Sequence, residues 1–176
     1  NIERAEDLTR HIAVNFLAML DVHTPDAAQG WAPLIAMNGD EAPQTAFSGG
    51  VTLTEGPFAG WTTWSGGSDP YETHIGPFYF RQEDGLARCV FEPQRRHLNG
   101  GGAIHGGCLM SFADFSLFAI AHNALRDTHA VTMTFNSEFI GAGALDGWVE
   151  ARGEIIRDTR SVVFVRGIVT QAERPL

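Results

Sequence analysis

The chain has 176 residues, enough for one ordinary core and few for two. Its 44% hydrophobic content and mean hydropathy of -0.08 are those of a globular chain and exclude general disorder. A net charge of -9 argues against a nucleic-acid or anionic-membrane surface, and all 12 basic residues are Arg, so a lysine-bearing Walker loop is excluded.

Leu8, Ile12, Phe16 and Leu20 fall at helical spacing, with acids early in the segment, and predict an amphipathic helix over 3–20 that ends at Thr24-Pro25. The apolar stretch 12–20 is too short to span a membrane and has no small-residue cleavage site after it. Cys89 and Cys108 form neither a metal spacing nor a disulfide framework, which fits a reducing cytoplasm. Residues 22–70 are rich in Gly and Pro, too rich for long regular elements. Trp31, Trp61 and Trp64 are nevertheless costly to expose, so this stretch reads as an ordered, irregular wrap with a short strand or two. Residues 1–75 are thus expected to form a helix and extension packed on a main domain over 76–176.

Strand signals begin after Gly76-Pro77. Residues 78–82 and 86–91 flank Glu83-Asp84-Gly85, a hairpin turn. A glycine-rich loop follows at 97–107, and then an apolar run to His122 long enough for a buried helix. Residues 131–136 alternate strictly, with Val131, Met133 and Phe135 on one face and Thr132, Thr134 and Asn136 on the other, which predicts a strand. Residues 141–147 read as a loop. Two further strands are expected over 148–156 and 162–169, the first with Glu150, Arg152 and Glu154 outward. Hairpin, long helix and antiparallel strands define an α+β layout, one helix packed on one curved sheet.

The loop and helix carry the chemistry. A helix apolar on every side is a buried helix, and Asp114 in its middle is costly unless it is paired or used. The helix starts at Gly106 and Gly107, where a ligand can approach bare backbone N–H groups at the positive end of the dipole. His97, Asn99, Gly102, His105, Gly106 and Gly107 form the pattern H-x-N-x-x-G-x-x-H-G-G, with Asp114 nine residues past the second His. Over about residues 76–171 this resembles the PaaI-like acyl-CoA thioesterases of the hotdog superfamily. The resemblance implies a hotdog fold, a thioester substrate and a coenzyme A leaving group. Coenzyme A enters as part of the substrate, and no metal or redox cofactor is expected. It also implies a further strand, which would begin where the chain reaches Arg174-Pro175-Leu176.

On that basis Asp114 is the candidate general base or nucleophile, and the Gly106 N–H the donor that polarises the carbonyl. His105 and Asn99 are candidates to orient the acid, the attacking water or the thioester, and Thr132 to help place the water. His97 is expected to hold the loop. Gly107, Arg95, Arg96, Arg157 and Arg160 are assigned to the substrate and its coenzyme A phosphates, since Arg suits bidentate phosphate binding. Cys108 reads as a small core residue. Gly106 and Asp114 lie eight residues apart, about 12 Å along a helix, too far for one copy to bring both to one carbonyl. Two antiparallel copies meet that requirement, and the resemblance implies the same: a homodimer or a dimer of dimers, hence a homotetramer, with shared sites. The alternative is a non-catalytic hotdog module that binds acyl-CoA, against which a buried acid weighs. A hotdog hydratase or dehydratase would carry different His and Asp motifs. No G-x-S-x-G elbow and no zinc-binding His spacing occurs.

Overall fold

The computed structural model describes residues 50–66, 69–125, 130–160 and 162–176. The helix expected over 3–20, and Trp31, lie outside them. Among the described residues no helix is long and apolar enough to cross a membrane. One seven-stranded antiparallel sheet runs in chain order: β1 (Val51–Thr52), β2 (Thr62–Thr63), β3 (Tyr79–Glu83), β4 (Leu86–Phe91), β5 (Val149–Asp158), β6 (Val163–Gln171) and β7 (Arg174–Pro175). A short helix α1 (Pro70–Ile75) precedes β3, and the long helix α2 (Gly106–Ala121) lies against the sheet. This is the α+β hotdog layout, with the sheet open at both edges.

The β3–β4 hairpin closes at Asp84 and Gly85, both at positive φ (51° and 82°), as a two-residue turn matching strand twist requires. Alternation then sorts the side chains. Phe78, Phe80, Cys89 and Phe91 face α2, where Phe112 and Phe115 fill the space between them. Tyr79 and Val90 face the other way.

That outer face is covered by the extension. The Phe58 ring stacks on Tyr79 with centroids 4.0 Å apart and lies 5.1 Å from Trp148, with Trp61 edge-on beside them. The Arg81 guanidinium sits 4.4 Å over the Trp61 ring. Trp64 crosses to the helix side and packs at 4.7 Å from Phe80 and 4.8 Å from Phe115. Residues 51–63 therefore enter the sheet itself, β2 pairing with β3 at Thr62 and Phe80. The sheet continues across position 75 without a break.

Helix α2 runs from the end of β5 and β6 near Val149 and Gln171 toward the hairpin tip at Asp158 and Val163. Its C-terminal half packs Leu117 and Ala121 on Val163 and Val165. The close approach is made at paired glycines, Gly153 on β5 and Gly167 on β6. A Cβ on Gly153 would lie 2.6 Å from Ile120 Cδ1 and 2.1 Å from the Arg166 carbonyl oxygen.

The strand expected over 131–136 is not formed: among the described residues, 131–140 carries no strand. The alternation is real, but a strand needs a ladder partner, and among the described residues 131–136 forms no ladder with the sheet, Phe135 packing by its side chain against the cluster of Val163 and Val165. Backbone bonding comes at the segment's end, where the N–H groups of Ile140 and Gly141 both donate to the Leu176 carbonyl (2.6 and 2.7 Å). Val131, Met133, Phe139 and Ile140 remain exposed.

The glycine seat yields a stability test. Gly153→Ala should crowd both the β6 backbone at Arg166 and Ile120 of α2 and lower unfolding free energy by about 1–3 kcal/mol, the usual cost of overpacking. Urea unfolding checks this, and an unchanged midpoint would contradict the close approach.

Candidate active site

The site is built on the loop that delivers the chain into α2. Leu98 and Ile104 bridge its two arms, and the His105 N–H donates to the His97 carbonyl at 2.7 Å. Asn99 shapes the turn between them, its Oδ1 accepting from the N–H groups of Gly101 (2.9 Å) and Ala103 (3.2 Å). Gly102 takes φ 83°, which a side chain would resist. His97 is buried beneath the loop. Its Nδ1 accepts from the Gln94 N–H at 2.9 Å, so the ring proton sits on Nε2, which donates to the Ile75 carbonyl at 2.9 Å. Burial holds its pKa below the ordinary histidine value.

His105 caps α2. Its Nδ1 accepts from the Gly107 N–H at 2.8 Å, while the N–H groups of Cys108 and Leu109 go to the His105 carbonyl. The first-turn donor left over is the Gly106 N–H, which no acceptor among the described residues engages. The Gly106 backbone lies under the Phe139 ring: a Cβ there would stand 3.2 Å from Cζ. His105 and Asn99 thus spend side-chain acceptors on the loop's own backbone, and one chain does not bring either to Asp114.

Asp114 and Thr132 are brought together. The Thr132 hydroxyl donates to Asp114 Oδ1 at 2.7 Å, although 131–140 is not in the sheet. Burial raises the Asp114 pKa, and the Thr132 bond pulls against that rise. On α2 the residues Gly107, Met110, Ser111, Asp114 and Phe118 form one stripe left buried incompletely or not at all, while Leu109, Phe112, Ala113, Phe115 and Leu117 are covered.

The arginines do not gather within one chain. Arg95 and Arg96 lie on the 3₁₀ turn beside the helix start, where Arg96 Nη2 donates to the Gly76 carbonyl. Arg157 and Arg160 lie at the β5–β6 tip, beyond the far end of α2. Burial pushes the Cys108 thiol up to about 11, so it is no thiolate nucleophile.

Sequence reasoning missed the contribution of α1. Asp69 caps this helix through the Glu72 N–H (2.8 Å), and Pro70 takes its first turn. Asp-Pro before Tyr-Glu-Thr-His-Ile-Gly is a helix-start signal, hidden at the end of a stretch read as punctuation. The Ser111 hydroxyl donates to the Gly107 carbonyl (2.9 Å), so the Tyr71 hydroxyl donates to Ser111 Oγ (2.7 Å) and docks α1 on the first turns of α2. Between them opens a cleft of about 280 Å³ lined by Tyr71, His74, Arg96, His105, Gly107 and Ser111, among others. Glu72 is buried in this junction, and burial foremost, with the charges of Asp69 and Asp114, raises its pKa to about 8.

A group protonated in the folded state but ionised when unfolded stabilises the fold less as pH rises from its unfolded to its folded pKa. For Glu72 that window runs from 4.5 to about 8. Glu72→Gln, which cannot ionise, should therefore gain Tm over the parent protein as pH is raised from 5 to 8. A Tm difference that stays constant across the window would contradict the raised pKa.

The thioesterase superfamily model matches residues 101–176. A Pseudomonas aeruginosa protein whose name gives it as a candidate esterase is 28% identical over 109 residues, covering 61% of this chain and 81% of its own length. A variant of the phenylacetic acid degradation protein PaaI from Thermus thermophilus superposes with a TM-score of 0.53 at 26% identity, over 61% of this chain and 91% of that one. The TT0310 protein of the same organism gives 0.53 at 27%, over 61% and 90%.

Proposed function

We propose that this chain is a hotdog-fold thioesterase of the PaaI-like kind and that it hydrolyses an acyl-coenzyme A thioester to the free acid and coenzyme A. The observation that carries this reading is the Thr132–Asp114 bond. It fixes one carboxylate oxygen on an apolar helix and leaves the other for a water molecule. Asp114 takes a proton from that water as it adds to the thioester carbonyl. The negative charge developing on the carbonyl oxygen is met by the Gly106 N–H and the helix dipole. The tetrahedral species then collapses, the C–S bond breaks, and the proton held by Asp114 goes to the departing thiolate. His105 and Asn99 contribute by holding the loop that presents Gly106, and Gly107 lets the substrate pass close to backbone. In this reading Arg95 and Arg96, on the turn beside the helix start, bind the phosphates of the entering coenzyme A.

Two chains complete the site. Within one α2, Gly106 and Asp114 stand about 12 Å apart, and both must come within about 3 Å of one carbonyl. The incompletely covered stripe through Gly107, Met110, Ser111, Asp114 and Phe118 supports an antiparallel α2–α2 contact across a two-fold axis. Gly106 of one copy then stands beside the other's Asp114, and Arg157 and Arg160 of one copy become available to the other's substrate. A homodimer or a dimer of dimers meets this requirement.

Asp114→Asn should keep the fold and lose about 10²–10⁴-fold in kcat on the best substrate of an acyl-CoA panel scored by thiol release. Near-parental kcat removes Asp114 from the mechanism and favours a protein that only binds acyl-CoA. A single turnover in heavy-oxygen water should label the product acid alone; label in Asp114 would instead assign it as a nucleophile. Mixing Asp114→Ala with Gly106→Pro under subunit exchange should restore activity up to one site per heterodimer. Absence of recovery after verified exchange contradicts the shared site.

A further inference from the structure

The start of α2 is flanked by two openings of opposite character. The cleft of about 280 Å³ beside Gly107 and Ser111 is lined by Tyr71, His74, Arg96 and His105 and, among the described residues, by no acid. On the other flank a pocket of about 50 Å³ opens between α2, residues 137–140 and the ends of β6 and β7. Met110 and Ala113 in its α2 wall stand four and seven residues past Gly106, on the same face of the helix. Phe139 joins this pocket to the reacting end of α2. Its ring belongs to the lining and also lies over Gly106, where a Cβ would stand 3.2 Å from Cζ. Met110, Phe139, Ile140 and Ile168, four of the large apolar side chains left exposed, all line the pocket. Large apolar groups gathered at one opening mark a place for an apolar ligand. Among the described residues the only charged one in the lining is Glu138, an acid.

We propose that a bound thioester straddles the first turn of α2, its coenzyme A arm in the cleft and its acyl group along Phe139 in the apolar pocket, so that the preferred substrate carries a short, uncharged aliphatic acyl group. The inference rests on the reading of Gly106 as the donor to the thioester carbonyl. A carbonyl carbon has two substituents, and with its oxygen held at the Gly106 N–H they diverge to the two flanks of the helix. The acid-free cleft with Arg96 suits the pantetheine amides and the phosphates beyond them. The apolar pocket suits hydrocarbon, and Glu138 in its wall opposes a terminal carboxylate. Volume sets the length. A cavity of on the order of 150 Å³ holds one benzene ring. This one, at about 50 Å³, admits a few aliphatic carbons and no ring. Phe139 is then the specificity-determining residue, because its ring reaches from Gly106 into the pocket and borders the carbons placed there.

The test is kcat/KM over acetyl-, butyryl-, hexanoyl-, octanoyl-, succinyl- and phenylacetyl-coenzyme A, for the full chain and for Phe139→Ala, Ile168→Phe, Tyr71→Ala and Asp114→Asn. The parent should gain about fourfold per methylene from acetyl to butyryl, the increment of a buried methylene, and lose with hexanoyl and phenylacetyl groups. Succinyl matches butyryl in length but ends in a carboxylate, and should fall about tenfold below it. Phe139 is exposed and outside the core clusters, so Phe139→Ala should fold. It should move the maximum to hexanoyl or octanoyl and raise the octanoyl-to-butyryl ratio about tenfold. Ile168→Phe should move the maximum the other way, to acetyl. Tyr71→Ala should raise KM by a similar factor for every substrate and leave the order of preference unchanged. An order altered by Tyr71→Ala and unmoved by both pocket variants puts the acyl group in the cleft and overturns the inference. A parent that prefers octanoyl or phenylacetyl overturns it as well. In either case an inactive Asp114→Asn leaves the proposed function standing, whereas an active one removes the function and the inference with it. A second measurement needs no variant. With the unreactive ketone S-(2-oxopentyl)-coenzyme A bound to parent protein, the Met110 methyl protons should show a nuclear Overhauser contact to the terminal methyl group of the ligand. Contacts to that group from the Tyr71 ring instead overturn the inference.

Discussion

Helix α2 carries apolar residues on nearly every face, and the architecture follows from covering them. Phe112, Phe115, Leu117, Ala119 and Ala121 are almost wholly removed from water by a sheet that must approach to the depth of Ile120 on Gly153. At about 25 cal/mol per Å² of buried apolar area, five such side chains outweigh any local propensity in the strands around them. The sheet is hydrophobic on both sides because it serves two cores, and the extension supplies the outer one through Phe58 and Trp61. One stripe of α2 is left incompletely covered, and the candidate base lies in it.

The same constraint sets the electrostatics of the site. A carboxylate in a helix so covered is desolvated, and the fold compensates with a hydroxyl from a segment outside the sheet. The opposite polarity lies two turns away, where the glycine-rich loop leaves the Gly106 N–H without an acceptor among the described residues and occupies the neighbouring donors with His105. The carboxyl group and the N–H are thereby fixed on one helix about 12 Å apart, the spacing on which the proposed two-chain site rests. Helix α1, bonded to the first turns of α2 and to His97, carries Glu72, whose proton is retained by burial.

Much of this was legible in the sequence because it is local. The hairpin around Asp84-Gly85, the paired glycines at a helix start and the all-round apolar run each rest on φ preference or periodicity within a dozen residues. The motif from His97 to Asp114 lies within one short window, and the resemblance and the candidate site are both read from it. Asp69-Pro70 is an equally local signal, masked by the stretch dense in Gly and Pro that it closes.

What the sequence by itself determined, then, is the helix, the loop that feeds it, and the residue types at its start and middle, since backbone geometry and apolar period fix those without reference to distant chain. What only the tertiary structure decided depends on partners remote in sequence. The alternation at 131–136 specifies a strand only if a neighbouring strand pairs with it, and among the described residues none does. Glu72 is an ordinary surface-helix residue until α1 docks, when burial makes it a retained acid. The four arginines are equivalent in sequence and become two separate pairs once α2 lies between them. Desolvation, charge proximity and strand pairing are properties of neighbours in space, and no window along the chain contains them.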